Sequence, residues 1–337
     1  MATLYVTEPG ARIEKEYKRI LVTKNGEVIL SVPALQVSAV VMIGSVGITT
    51  QAMLFLIDCG IHFSFINNYG KLRGTLRSEQ KKNVELLIKQ YQTVQDMGQR
   101  IKVSRAVVTG KLYNCRVMAM RMARNVRGKK ELEMRRAIDN VSFCLEKLTG
   151  TDDIAAIRGL EGYGTRSYFS VFRSALNIDN DINFTKRRRR PPADPVNALL
   201  SFGYMLLTNA MITAIEVNEL EPTLGFFHSL KDNRPGLALD LIEEFRPLVV
   251  DSIVLRAVNE KRVTKDDFKS DERFPCRLNK KGLSKFLELF SIRLREELTI
   301  PEVGRPLSYQ KLFEVQAKQI KLIIQNRQDD YNPVTVR

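Results

Sequence analysis

The feature that most constrains this chain is a change of hydrophobic period near residue 80. Before it, apolar residues come in short β-branched runs: Leu4-Tyr5-Val6, Ile20-Leu21-Val22, Val28 to Val32 and Ala39 to Ile43. Turn residues separate the runs, and Asn25-Gly26 between Val22 and Val28 is a two-residue hairpin signal. Thr49 to Cys59 reads as a helix leading into a further strand, Ile61 to Ile66, after which Asn67, Asn68 and Gly70 turn the chain. From about Lys81 the spacing becomes three and four, as in Met134, Ile138, Val141, Leu145 and Leu148. The expected fold class is therefore α+β, with a small N-terminal β domain over residues 1–80 and a larger all-helical C-terminal domain over 81–327. Residues 328–337 read as a flexible polar tail.

Val196 to Ile215 runs twenty residues without a charge, the length of a membrane span. It carries Asn197, Ser201, Gly203, Thr208, Asn209 and Thr213, which are costly against lipid, so it is read as a buried core helix and no membrane is expected. Asp194-Pro195 starts it, with Asp as cap and Pro in the first turn. Leu237 to Ala257 is a second long helical pattern that Pro247 should kink or divide. Ser284 and Ser308 are the expected caps of two later helices.

The 337 residues hold 53 Lys/Arg against 38 Asp/Glu, a net charge of +15. Residues 1–80 contribute eight Lys/Arg and six Asp/Glu, so +13 falls on the remainder. A polyanion such as nucleic acid should be met by the C-terminal part. The four cysteines are far apart with no CxxC pair, which excludes the usual zinc spacing and fits a reducing cytoplasm. The opening MATLYVTEPG has no basic stretch followed by an apolar one, so it is not read as a signal peptide.

The chain has two histidines. His62 alternates with Phe63 and Phe65 in a strand and is read as structural. His228 ends the segment Pro222 to His228, a Pro/Gly-bearing loop between helices, where function concentrates. Asp240, Glu243 and Glu244 follow within one helical turn, so Asp240 can pair with either glutamate on one face. On an apolar helix such a pair repels unless a cation offsets it, and a solvated face beside Arg246 is the plainer alternative. Glu161 sits among Gly159, Gly162 and Gly164, and a local cap explains it equally well. One imidazole and two carboxylates together suit Mg2+ or Mn2+. The run Lys186-Arg187-Arg188-Arg189-Arg190 is the densest basic stretch, read as an exposed phosphate-binding loop. Arg166 and Arg173 share a face of the helix expected after Glu161 and can serve the same backbone. No GxxxxGK[ST], GxGxxG after a strand, GxSxG or HExxH occurs.

These residues resemble one family. Glu161-Gly162 with Arg166-Ser167-Tyr168-Phe169, the helix Asp194 to Tyr204, Gly225-Phe226-Phe227-His228, and Leu237 to Arg246 look like its four motifs in order. The chain resembles the CRISPR-associated Cas1 integrases over nearly all its length. Departures are Tyr163-Gly164-Thr165 after the motif glutamate and Glu219-Leu220-Glu221-Pro222 before the loop. The resemblance implies a dimer formed by the N-terminal β domain and a metal held by Glu161, His228 and Glu243, with Asp240 as an adjacent acidic participant. It also implies joining of a 3′-hydroxyl of new spacer DNA to a CRISPR repeat, in complex with a Cas2 dimer.

The expected chemistry is metal-assisted phosphoryl transfer, with Arg166 and Lys186 to Arg190 positioning the backbone. Two rival readings remain at this point. One is a stand-alone structure-selective repair nuclease. The other is a non-catalytic DNA-binding scaffold, favoured if Glu161, His228 and Glu243 do not converge.

Overall fold

The chain divides into two units, residues 1–81 and 82–337. The structure is a computed structural model and describes residues 2–67, 72–76, 83–124, 126–177, 182, 184–188, 191–271, 275–300 and 304–336. The first unit runs β1 (Ala2–Val6), β2 (Arg12–Glu16), β3 (Arg19–Lys24), β4 (Glu27–Pro33), β5 (Val37–Ile43), β6 (Gly47–Ile48), helix α1 (Thr50–Asp58), β7 (His62–Ile66) and β8 (Leu72–Leu76). Its strands form two four-stranded sheets, ordered β4-β3-β2-β6 and β1-β5-β7-β8.

Asn25 and Gly26 have φ of 52° and 85°. This left-handed pair closes the β3–β4 hairpin, with Lys24 opposite Glu27. Ile13, Ile20, Val40, Met42 and Phe63 belong to one buried core. The periodicity did not show β2, whose RIEKE sequence buries only Ile13 and turns its charges outward. His62 stands in the β5–β7 ladder opposite Ala39, a structural position. Asn68 and Gly70 of the expected turn lie outside the described residues.

The second unit contains α2 (Val84–Gln95), α3 (Met97–Ala123), α4 (Lys129–Leu148), α5 (Ile154–Phe172), α6 (Pro195–Val217) and α7 (Gly236–Leu241). A π-helical stretch, Arg246–Asp251, and α8 (Ser252–Asn259) follow. Then come β9 (Phe268–Lys269), β10 (Arg277–Leu278), α9 (Lys280–Arg295), β11 (Glu297–Thr299), β12 (Pro306–Ser308) and α10 (Tyr309–Ile324). The unit is thus mostly rather than wholly helical. Two ladders of two and three residues, β9–β10 and β11–β12, are too short to leave a period in the sequence.

Helix α6 begins as expected, Asp194 accepting from the Asn197 N–H behind Pro195. It is long and apolar enough to cross a membrane, yet Val196, Leu199, Leu207 and Met211 are buried inside the unit. A Cβ at Gly203 would stand 2.6 Å from Val250 and 3.2 Å from Phe286, so α6 packs tightly against the π-helical stretch and α9.

Three expectations need correction. The Leu237 to Ala257 pattern breaks at residues 242–244, ahead of Pro247, which enters the first turn of the π-helical stretch. Ser308 caps α10, but Asn279 rather than Ser284 caps α9. Residues 328–336 are not a frayed tail. Tyr331, Val334 and Val336 are buried, the Val334 N–H donates to Glu244 at 2.8 Å and the Val336 N–H to Asn114 at 3.1 Å. Gly110 on α3 makes room for this strap, since a Cβ there would stand 2.4 Å from Pro333.

Candidate active site

The loop carrying His228 is shaped by a buried carboxylate. Asp240 on α7 accepts from the backbone N–H groups of Phe226 (2.6 Å), Phe227 (3.0 Å) and His228 (2.9 Å). Its Oδ1 also stands 2.6 Å from His228 Nδ1. A proton on Nδ1 satisfies that bond and leaves Nε2 with its lone pair outward, the usual orientation of a ligating histidine. Gly225 permits the close approach, because a Cβ there would meet Gly236 at 2.5 Å and Asp240 Oδ2 at 2.8 Å. Asp240 therefore stands behind the imidazole, and its oxygens are taken up by the loop.

Glu161 lies within α5, not in a loop before it. Of its three neighbouring glycines only Gly164 provides close approach, a Cβ there lying 2.7 Å from Leu112 on α3. That tight crossing brings Lys111, the residue before Leu112, onto the glutamate. The Lys111 ammonium pairs with Glu161 Oε1 and with Glu243 Oε2 at 2.6 Å. The Thr165 hydroxyl donates to Glu161 at 2.9 Å. Glu243 is also paired with Arg246 at 3.2 Å, and its Oε1 stands 3.9 Å from His228 Nε2.

Glu161, Glu243 and His228 thus converge, with Lys111 between the carboxylates. Burial works against charge at Glu243, yet Arg246 and Lys111 overcome it and hold the carboxyl at about 2. Burial likewise opposes the Lys111 ammonium, but Glu243 and Glu161 outweigh it and keep its pKa above the ordinary lysine range. Glu244 points the other way. It accepts from Gln316 (2.9 Å), Tyr331 (2.8 Å) and the Val334 N–H (2.8 Å), and burial raises its carboxyl to about 8. Nothing about Glu244 suits a ligand. Helix geometry alone had left the choice open among Asp240, Glu243 and Glu244; of the three, only Glu243 meets Lys111, Arg246 and His228 Nε2.

A cavity of about 670 Å3 opens beside Glu161 and is lined also by Lys111, Arg166, Lys186, Arg187 and Arg246. Three of the expected backbone-binding residues therefore face the same space as the carboxylate. Arg187 is partly committed to the fold, donating to Asn197 (2.9 Å) and Ser201 (3.2 Å) and lying over the Tyr204 ring. Arg188 is exposed, its own N–H donating to Asn197. Arg173 is exposed at the end of α5 and is not part of the cavity wall. Arg189 and Arg190 lie outside the described residues.

Among the described residues, no three His, Cys, Asp or Glu side chains already surround a common point at ligand distance. The donor set nevertheless fits a hard divalent cation. Two carboxylate oxygens touch a single ammonium, which stands in for positive charge between them, and an imidazole nitrogen stands 3.9 Å from the other oxygen of Glu243. Sequence reasoning missed Lys111 and the pair Tyr204–Asp251, in which the tyrosine hydroxyl donates to a buried carboxylate. The Lys111 signal was present, since it occupies the apolar face of α3 at four-residue spacing between Val107 and Cys115.

The family described as CRISPR associated protein Cas1 matches residues 4–291. A CRISPR-associated endonuclease of Thermus thermophilus, Cas1 3, is 32% identical over 100% of this chain and 98% of its own. Another, Cas1 1 of Chlorobaculum tepidum, is 30% identical over 99% of this chain and 98% of its own. The solved structure of a Cas1 protein from Thermotoga maritima superposes with a TM-score of 0.81 at 24% identity, covering 97% and 98% of the two chains, a likeness of fold.

Proposed function

The chain belongs to the CRISPR-associated Cas1 family, and we propose that it is a CRISPR adaptation integrase and endonuclease. The reaction is metal-dependent transesterification, joining the 3′-hydroxyl of a spacer DNA to a phosphodiester of the repeat. The observation that carries this reading is the approach of Glu161 and Glu243 through Lys111, and of Glu243 to His228 Nε2, at a point where Glu161 lines a cavity walled by cations. That convergence weighs against a non-catalytic scaffold.

Glu161, His228 and Glu243 would hold Mg2+ or Mn2+. When bound, such an ion polarises the phosphoryl group and offsets its developing charge. The chain's own residues do the rest. Asp240 fixes the tautomer and direction of the His228 ring. Arg166 and Lys186 neutralise the DNA backbone at the cavity without reading bases. Relatives named endonucleases favour a second use of the same site, hydrolysis with water in place of the hydroxyl.

The partners proposed are DNA, a Cas2 dimer and a second copy of this chain. For the second copy, β4 is an edge strand whose Val28, Ile29 and Leu30 are exposed at 57%, 54% and 41%. The test is strand transfer of an oligonucleotide with a free 3′-hydroxyl into repeat DNA with Mn2+. His228→Ala should abolish joined product, and undiminished joining by that variant sinks the site. Cleavage without any joined product from the wild type would point to the nuclease reading alone.

A further inference from the structure

We propose that Lys111 is a built-in, displaceable counter-cation: it holds Glu161 and Glu243 together in the metal-free protein and leaves them for the cavity when a divalent cation binds. The proposal rests on the reading of Glu161, His228 and Glu243 as ligands. Lys111 is 4% exposed, and its ammonium contacts oxygens of both carboxylates. Arg246 supplies a second positive charge at 3.2 Å from Glu243. The two carboxylates are therefore already neutralised by two cations of the same chain. Two like charges brought this close repel unless a cation lies between them, and burial magnifies the effect.

A metal ion held by His228 Nε2 would draw on Glu243 Oε1 and on Glu161, the same two carboxylates whose charge the ammonium offsets, so ion and ammonium compete by like-charge repulsion at close range. Metal binding at this site is then an exchange of one cation for another. The released side chain has somewhere to go. Lys111 already forms part of the cavity wall with Arg166, Lys186, Arg187 and Arg246. There it meets an anion of the class these residues fit, a phosphate of bound DNA. Charge removed from the carboxylates is thus transferred to the phosphate side of the site, where it favours the substrate. Lys111 sets metal affinity and couples it to DNA binding.

The test measures binding rather than turnover. Mn2+ is titrated calorimetrically into wild type, Lys111→Met and His228→Ala, and thermal unfolding is followed with and without the metal. The expected result is that Lys111→Met binds Mn2+ about tenfold or more tightly than wild type, because the competing ammonium is gone. Its metal-free melting temperature should fall and recover on adding Mn2+. Equal Mn2+ affinity in wild type and Lys111→Met, with His228→Ala unable to bind, overturns the proposal and leaves the metal reading standing. If neither wild type nor Lys111→Met binds Mn2+, both fall. A second measurement needs no variant: mass-spectrometric acylation of lysines in the wild type. Lys111 should be protected without metal and labelled once Mg2+ is added, and labelling that ignores Mg2+ overturns the exchange.

Discussion

Glu243 and Glu244 are adjacent, both almost wholly buried, and opposite in charge behaviour. Glu243 faces Lys111, Arg246 and His228 and sits at about 2. Glu244 faces Gln316, Tyr331 and the strap backbone and sits at about 8. Burial pushes both upward. What separates them is whether the donors nearby carry full charge, since neutral hydrogen bonds offset less of the desolvation than two cations do. One side of the turn gathers full charges, Lys111 and Arg246, around a carboxylate. The other is a clasp that fastens the C-terminal strap over α3, helped by Asn114, which donates to the Glu244 and Val334 carbonyls.

The contrast is broken most severely by Glu243→Ala. It leaves Lys111 buried with Glu161 alone and takes away the Arg246 ion pair, and joining activity should fall by about a hundredfold or more in a strand-transfer assay. Glu244→Ala should leave Glu161, Glu243 and His228 in place and unfasten the strap. Its expected signature is a loss of stability of about 3 kcal/mol in denaturant unfolding, from the Tyr331 hydroxyl and the Val334 N–H left unpaired, with new proteolysis among residues 328–336. Equal activity loss in both variants would show that the turn does not separate two roles.

Asp251, on the cavity side, sharpens the comparison through pH. Burial raises its carboxyl to about 6 from 3.8, against the donated bond from Tyr204. The folded state holds that proton more tightly than the unfolded chain, so this contribution to stability is present below pH 4 and lost as pH rises to about 6. Asp251→Asn keeps the acceptor and removes the titration. It should match wild type near pH 4 and exceed it by at most about 3 kcal/mol above pH 6 in denaturant unfolding. A constant difference across that range would remove Asp251 as the cause.

The smallest effects belong to the basic loop. Lys186→Ala with Arg188→Ala should flatten the dependence of DNA affinity on salt by about two units of slope, with unchanged melting. Arg187→Ala should instead lower the melting temperature, since its guanidinium bonds Asn197 and Ser201. If all three behave alike, the loop is a plain charge run.

Much of the fold was legible because its signals are local. The Asn25-Gly26 turn, the Asp194-Pro195 helix start and the spacing of Met134, Val141 and Leu148 each act within a few residues. The strap was misread because a short polar-looking stretch with Tyr331, Val334 and Val336 gains its burial from helices distant in sequence. His228 was recognisable from its loop, and the motifs around it led to Glu161 and Glu243.

The residues alone determined that two periods meet near residue 80, that positive charge gathers in the larger unit, and that one histidine and a few carboxylates are available for a cation. Only the tertiary structure decided which of those carboxylates stands beside Lys111 and His228 Nε2. Asp240, Glu243 and Glu244 share one turn, but Asp240 closes the histidine loop, Glu244 clasps a strap whose Val334 is 90 positions away, and Glu243 meets Lys111. The physical reason is that a buried group's charge is set by its nearest partners. For Glu243 the decisive partner, Lys111, is set by the crossing of α3 with α5 at Gly164, which no local pattern encodes.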